Sequence, residues 1–250
     1  MPPMPLTNPI LICIAHPDDE MHVSGTVALQ TAAGLAVTIA VTSNGNLGGL
    51  PGADKLERAR VRRDEMEEAC ELLGANLEWL GFGDDDLMPR YHGDYAAAEA
   101  AFRNLVRRVD PALLIVPTLD DYHQHHRVTA ELALNGSTGA GNANWVSEHP
   151  PSSGIAYALH MAPMPPTPFV PTVYVDITAT FEQKMAALRC HRSQHQYLRD
   201  HHSTDIFAQV EAAAILHGAA CGVKYADAFA VCQRFNRPAP IQKLAGFFPS

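Results

Sequence analysis

The chain has 250 residues, enough for one large α/β domain or two small ones, and its 47% hydrophobic and 18% charged content fits a soluble globular protein. Eighteen Lys and Arg against 27 Asp and Glu give a formal net charge of −9, which argues against a nucleic acid or an anionic membrane as partner. No apolar run approaches the roughly 20 residues a membrane span requires.

In chain order, Met1-Pro2-Pro3-Met4-Pro5 has neither the basic nor the apolar stretch of a signal peptide, and none is expected. Ile10 to Ile14, continuously apolar between Pro9 and Pro17, predicts a buried strand. Ala15-His16-Pro17-Asp18-Asp19-Glu20 follows, and Glu20 to Ala33, stopped by Gly34, predicts a helix. The hexapeptide is therefore a turn at the carboxyl end of the first strand, where open α/β sheets bind ligands. His16 and Asp19, a nitrogen and an oxygen ligand on one tight turn, can point at one ion. Asp18 between them faces another way, towards a metal-bound water. Mixed N/O ligands with an open position point to zinc. A helix N-cap accounts for one of the two aspartates, but not for both together with His16.

Ala36 to Thr42 predicts a second strand, and Ser43-Asn44-Gly45-Asn46-Leu47-Gly48-Gly49 is either a flexible turn or a loop whose backbone approaches a ligand. Its glycine spacing is not the dinucleotide fingerprint, which weakens a Rossmann-type oxidoreductase reading. Lys55 to Leu73, with Val61, Met66, Ala69, Leu72 and Leu73 as core stripe, predicts an amphipathic helix ending at Gly74. Leu77 to Leu80 predicts a third strand, and the carboxylates of Gly81-Phe82-Gly83-Asp84-Asp85-Asp86 need solvent, a cation or donors. Helix Tyr95 to Val109, strand Ala112 to Val116, the segment Thr118 to Arg127 and helix Val128 to Leu134 complete a strand–helix alternation. It predicts a Rossmann-like three-layer α/β fold with a mainly parallel sheet. From Gly136 to about Pro171 the chain is rich in Gly, Asn, Ser and Pro, broken by an apolar run from Ile155 to Met161. Val173 to Ile177 predicts a strand, Ala179 to Gln194 and Ile206 to His217 helices, and Tyr225 to Val231 a strand or helical turn. The expectation is a single domain over 1–250 with an irregular C-terminal third. Five cysteines without a C-x-x-C pair read as buried free thiols in a reducing cytoplasm, the expected location.

A tetrahedral catalytic zinc site wants three protein ligands plus water. The third is to be sought on another loop at the same sheet edge, and His123-Gln124-His125-His126 is either that or a histidine-rich surface loop. The hexapeptide together with this cluster resembles the signature of the PIG-L/LmbE-like superfamily of zinc-dependent N-deacetylases, which remove an acetyl group from N-acetylglucosamine-type sugars. The resemblance implies that His123 and His126 form the family's His-x-x-His pair, and that Zn2+ is held by His16, Asp19 and His126. The family usually has an aspartate in the place of His125, orienting the first histidine. In this chain Asp120 or Asp121 must take over that support, and His125 stands open as an alternative ligand.

On that reading zinc lowers the pKa of its bound water from about 15.7 towards about 7 and polarises the amide carbonyl. Asp18 is the general base, protonated His123 stabilises the oxyanion, and either of them protonates the leaving amine. Arg62, with Glu65 in an R-x-x-E helix, is implied near the sugar, the alternative being an exposed charged helix face. Asp84 is implied on sugar hydroxyls, and Asn44 is a further substrate-binding candidate. Tyr122 is left without a catalytic role. Weaker likenesses in Tyr174-Val175-Asp176-Ile177-Thr178 with Lys184, His191-Arg192-Ser193-Gln194 and Tyr225-Ala226-Asp227-Ala228-Phe229 extend the resemblance over most of the chain. His191, His195, His201 and His202 are expected in solvated or capping roles. The expected partner is a small amino-sugar or glycoconjugate, without nucleic acid or membrane span, a homo-oligomer being left open. An amidase acting on another acyl amide or thiol conjugate, and a non-catalytic metal- or sugar-binding protein, are the alternatives; Asp18 argues against the last.

Overall fold

The computed structural model describes residues 9–49, 52, 54–87, 95–154 and 157–233. Its strands are β1 (Ile10–Ile14), β2 (Val37–Ser43), β3 (Asn76–Phe82), β4 (Leu113–Val116), β5 (Tyr157–Met161), β6 (Val173–Asp176) and β7 (Ala226–Val231). They form one sheet in the order β3-β2-β1-β4-β5-β7-β6. The first five are parallel, and β7 runs antiparallel to both β5 and β6. Every residue of β1, β2 and β4 is buried, as a parallel sheet covered on both faces requires.

The helices are α1 (Ser24–Ala32), α2 (Lys55–Leu73), α3 (Tyr95–Val109), α4 (Gln124–Ala140), α5 (Phe181–Cys190), α6 (Arg192–His202) and α7 (Ile206–Cys221). The period-two alternation of β1 sorts them into two layers. Ile10, Ile12 and Ile14 join Val27 of α1, Met66 and Leu73 of α2, Leu188 of α5 and Val210 of α7 in one core. Leu11 and Cys13 join Phe102 and Leu105 of α3 and Ala130 and Ala133 of α4 in the other. The expected three-layer α/β architecture is what forms. Lys184 Nζ donates to Asp227 Oδ1 at 2.6 Å, and Thr26 N and Oγ1 each reach Asp227 Oδ2 at 2.8 Å. This buried knot ties α5, β7 and α1 together, which gives the Lys184 and Asp227 likenesses a structural role.

Several boundaries differ from the sequence reading. Asp19–His22 forms a 3-10 turn and α1 starts only at Ser24, because Asp18 sits at φ 119° and the Asp19 carboxylate accepts from His16 N at 2.7 Å. Helix α4 starts at Gln124, so His125 and His126 lie on its first turn rather than in a loop, with the His123 ring as N-cap. It continues through Gly136, where a Cβ would stand 2.9 Å from the Arg103 backbone nitrogen. That glycine serves close packing against α3 and does not break the helix. The stretch expected as one helix from Ala179 to Gln194 divides at His191, and α6 runs on to His202. Strand β5 begins at Tyr157, Ile155 and Ala156 lying outside the described residues. All five cysteines are free, Cys221 alone being exposed. No described helix is long and apolar enough to cross a membrane.

Candidate active site

Between β1 and β4 the strand order reverses direction: β2 and β3 lie on one side, β5 on the other. Such a switch point opens a crevice at the carboxyl ends of the strands. The turn after β1 carries His16, Asp18 and Asp19; the segment after β4 carries Asp121, His123, His125 and His126. The topology therefore brings the two sequence clusters together.

Asp19 Oδ2 lies 3.3 Å from His16 Nδ1 and 3.3 Å from His126 Nε2. A tetrahedral ion with bonds of about 2.0–2.1 Å to nitrogen and oxygen ligands sets its ligand atoms about 3.3 Å apart. Both distances to Asp19 match such an ion, the three residues offer ligand atoms within 4.8 Å of one another, and their mixed N/O character suits a borderline-soft divalent metal. His126 Nδ1 is 3.0 Å from Asp121 Oδ2, the outer carboxylate that fixes the ring of a ligating histidine. Burial alone would lower the His126 pKa, but the Asp19 and Asp121 carboxylates overcome it and push it up to about 10. A positive charge is thus favoured at this point even without an ion.

Asp18 faces elsewhere. Its positive φ is rare for a residue with a side chain and marks a strained backbone. Its Oδ1 accepts from Arg62 Nη2 at 3.0 Å, and the same guanidinium donates to Pro17 O and, at 3.2 Å, to Gly45 O. Burial pushes the Asp18 carboxyl up to about 6, against the opposing pull of Arg62. The β2 loop accommodates this guanidinium closely: a Cβ on Gly45, at φ +66°, or on Gly48 would stand 2.5 Å from Arg62 Nη1. The loop backbone approaches a protein side chain, where the sequence suggested a ligand or mere flexibility.

His123 Nδ1 accepts from His125 N at 3.2 Å, which leaves Nε2 to carry the ring proton towards the cleft. Burial, reinforced by the neighbouring His16 and His126, pushes His123 down to about 4. That shift favours a neutral ring over the protonated one expected from the sequence. Asp121 supports it only through the backbone, accepting from His123 N at 2.8 Å. His125 turns its Nδ1 to His16 Nε2 at 2.8 Å.

A cleft of about 700 Å³ opens over these residues. Arg62 and Asp84 both line it, and both are buried. Arg62 and Glu65 are thus not an exposed charged face. Asp84 Oδ2 accepts from Leu47 N at 2.7 Å. Burial would raise its pKa, but that bond and nearby positive charge hold it below the usual carboxylate range. Asn44 is not among the lining residues: its Oδ1 accepts from Asn46 N at 3.1 Å and shapes the loop instead.

The far wall was missed. Gln194, Leu198 and His202 of α6 and Gln209 of α7 line the cleft. The spacing of 194, 198 and 202 puts them on one helix face, a signal available only once α6 is known to be a helix. His191 is neither solvated nor a surface cap, since its Nε2 meets the buried Glu20 Oε1 at 2.6 Å. Glu65 receives Ser193 N at 2.9 Å and Ser193 Oγ at 2.7 Å, so the R-x-x-E helix fixes both Asp18 and the start of α6. In the loops that follow β2 and β3, residues 50–51, 53 and 88–94 lie outside the described residues.

The chain is similar in sequence and fold to known proteins. The chain is 27% identical over 203 residues to the probable N-acetyl-alpha-D-glucosaminyl L-malate deacetylase 2 of Bacillus cereus, covering 78% of this chain and 87% of that protein. It is 27% identical over 199 residues to the 4-oxalmesaconate hydratase of Pseudomonas putida, covering 74% and 69%. Its fold matches N,N'-diacetylchitobiose deacetylase from Pyrococcus horikoshii with a TM-score of 0.76 at 23% identity, over 90% of this chain and 84% of that one. The pattern of the family described as PIG-L, GlcNAc-PI de-N-acetylase, matches residues 11–136, and the chain belongs to that family.

Proposed function

We infer that the protein is a zinc-dependent deacetylase that hydrolyses the N-acetyl group of an N-acetylglucosamine-type sugar or glycoconjugate, leaving acetate and a free amine. One observation carries this reading: His16, Asp19 and His126 converge on one point while Asp18, clamped by Arg62, faces the same cleft. Membership in the family and the likeness to the Bacillus cereus deacetylase support it.

His16, Asp19 and His126 would hold the ion, which when bound lowers the pKa of water and polarises a carbonyl. Asp18 takes the proton of the attacking water, and Arg62 keeps its carboxylate aimed for that task. His123 Nε2–H donates to the oxygen on which negative charge develops. Asp18 then returns its proton to the leaving nitrogen. Asp84, with acceptor oxygens, and the α6 residues that line the cleft would receive the sugar. Exchange of Asp18→Asn removes the base and leaves the three ligand atoms in place. The expected outcome is retained metal with turnover reduced about 10²–10⁴-fold, measured as amine release. Wild-type turnover in that variant would overturn the base assignment.

The Pseudomonas putida relative brings forward a second reading, a hydratase. By its name that relative's substrate is a carboxylate. Among the described residues lining the cleft, Arg62 is the single Arg or Lys, and it is engaged by Asp18, Pro17 and Gly45. The lack of a free Arg or Lys among these lining residues favours an uncharged amide over a polycarboxylate.

A further inference from the structure

The cleft contains a second set of metal donors that the proposed reaction does not use as ligands. His16 presents its two ring nitrogens to two neighbourhoods: Nδ1 is 3.3 Å from Asp19 Oδ2, and Nε2 is 2.8 Å from His125 Nδ1. On the Nε2 side stands a triangle of imidazoles. Ring centroids are 4.8 Å apart for His16 and His123, 5.0 Å for His16 and His125, and 5.0 Å for His123 and His125. Three imidazoles sharing one tetrahedral ion through bonds of about 2.0–2.1 Å place their centroids about 5 Å apart. One nitrogen from each ring lies within 4.8 Å of the other two. His123 Nδ1 is occupied by the His125 backbone N–H, so Nε2 is the atom left for an ion. All three rings are half-buried and line the cleft, within reach of solvent ions.

We propose that His16 Nε2, His123 and His125 form a second site for a borderline-soft divalent cation such as zinc, sharing the His16 ring with the inner set. The outer site is the weaker one. The inner set contains the Asp19 charge and a histidine fixed by Asp121, whereas the outer set has imidazoles alone and no carboxylate. When both are filled, His16 gives up its Nε2 proton to solvent and bridges the ions as imidazolate. The outer ion takes His123 Nε2, the donor of the proposed reaction, so excess metal inhibits. That last consequence rests on the deacetylase reading; the binding itself does not. His125 creates the site, standing where the family resemblance puts an aspartate.

Titration of the metal-free full chain with Zn2+ in a calorimeter tests this, with circular dichroism confirming that each variant is folded. The wild type is expected to take two equivalents, the second at least tenfold weaker. His125→Gln and His123→Gln should each take only the tight one, and His126→Ala should keep only the weak one. Inhibition of amine release by excess Zn2+, relative to each protein's own maximum, should be seen in the wild type and lost in His125→Gln. A wild type that takes the tight equivalent alone, or two equivalents in both His125→Gln and His123→Gln, overturns the proposal. Loss of the tight equivalent alone from the wild type would instead sink the deacetylase reading and leave the outer site standing.

Discussion

Asp18 is held in a conformation that costs a residue with a side chain about 1–3 kcal/mol, and it persists only because its surroundings over-determine it. Arg62 is the largest part of those surroundings, reaching Pro17 O and Asp18 Oδ1 from the same nitrogen. A lysine has one ammonium and no planar fork, so Arg62→Lys cannot keep both contacts and the bond to Gly45 O. Loss of a charged hydrogen bond worth about 1.5–3 kcal/mol predicts a fall in kcat of about 10–100-fold with metal content unchanged. A variant with wild-type kcat would show that Arg62 does not position the base. At this scale the sequence was most legible in which side chains come together: His16, Asp19, His123 and His126 all line one cleft. The resemblance implies Arg62 near the sugar; its bond to Asp18, 44 positions away, was not legible, because nothing local in the helix marks such a contact.

Helix α6 contributes to the lining of the cleft, and its first turn hangs on Glu65 of α2. Exchange of Glu65→Ala leaves Ser193 N and Oγ without their acceptor and unties α6 from α2. It should destabilise the fold by about 1–3 kcal/mol in urea unfolding and raise KM more than it lowers kcat. A change confined to kcat would place the effect at the catalytic groups instead of the wall. The break between α5 and α6 was not legible, because the helical pattern runs on through His191. What interrupts it is the pull of a buried partner, Glu20, 171 positions away. Gly136 misled in the opposite sense: a residue that weakens a helix locally is required where α3 passes close to α4.

For the molecule as a whole, the strand–helix alternation was enough to anticipate a mainly parallel, three-layer sheet. It did not reveal that β7 inserts antiparallel between β5 and β6, since that pairing joins segments far apart in the chain. The Lys184–Asp227 pair closes this late part of the sheet onto α1, and both side chains are almost fully buried. Exchange of Lys184→Met strands the Asp227 carboxylate and should cost about 3–5 kcal/mol of unfolding free energy. Adding Asp227→Asn removes the stranded charge, keeps an acceptor for Thr26 and should recover part of the loss. Equal stability of Lys184→Met and the wild type would mean that the pair does not hold the C-terminal third.

The central claim, a metal-dependent deacetylase built on His16, Asp19 and His126, is tested most directly by measuring metal content and amine release on one purified sample. Release should be followed on a panel of N-acetylglucosamine derivatives with and without chelator. The account predicts tightly bound zinc, release of a free amine from at least one sugar, loss of that activity on chelation and its return on adding zinc. Protein that binds no metal even when zinc is supplied, or that releases amine undiminished after the metal is stripped, would contradict it.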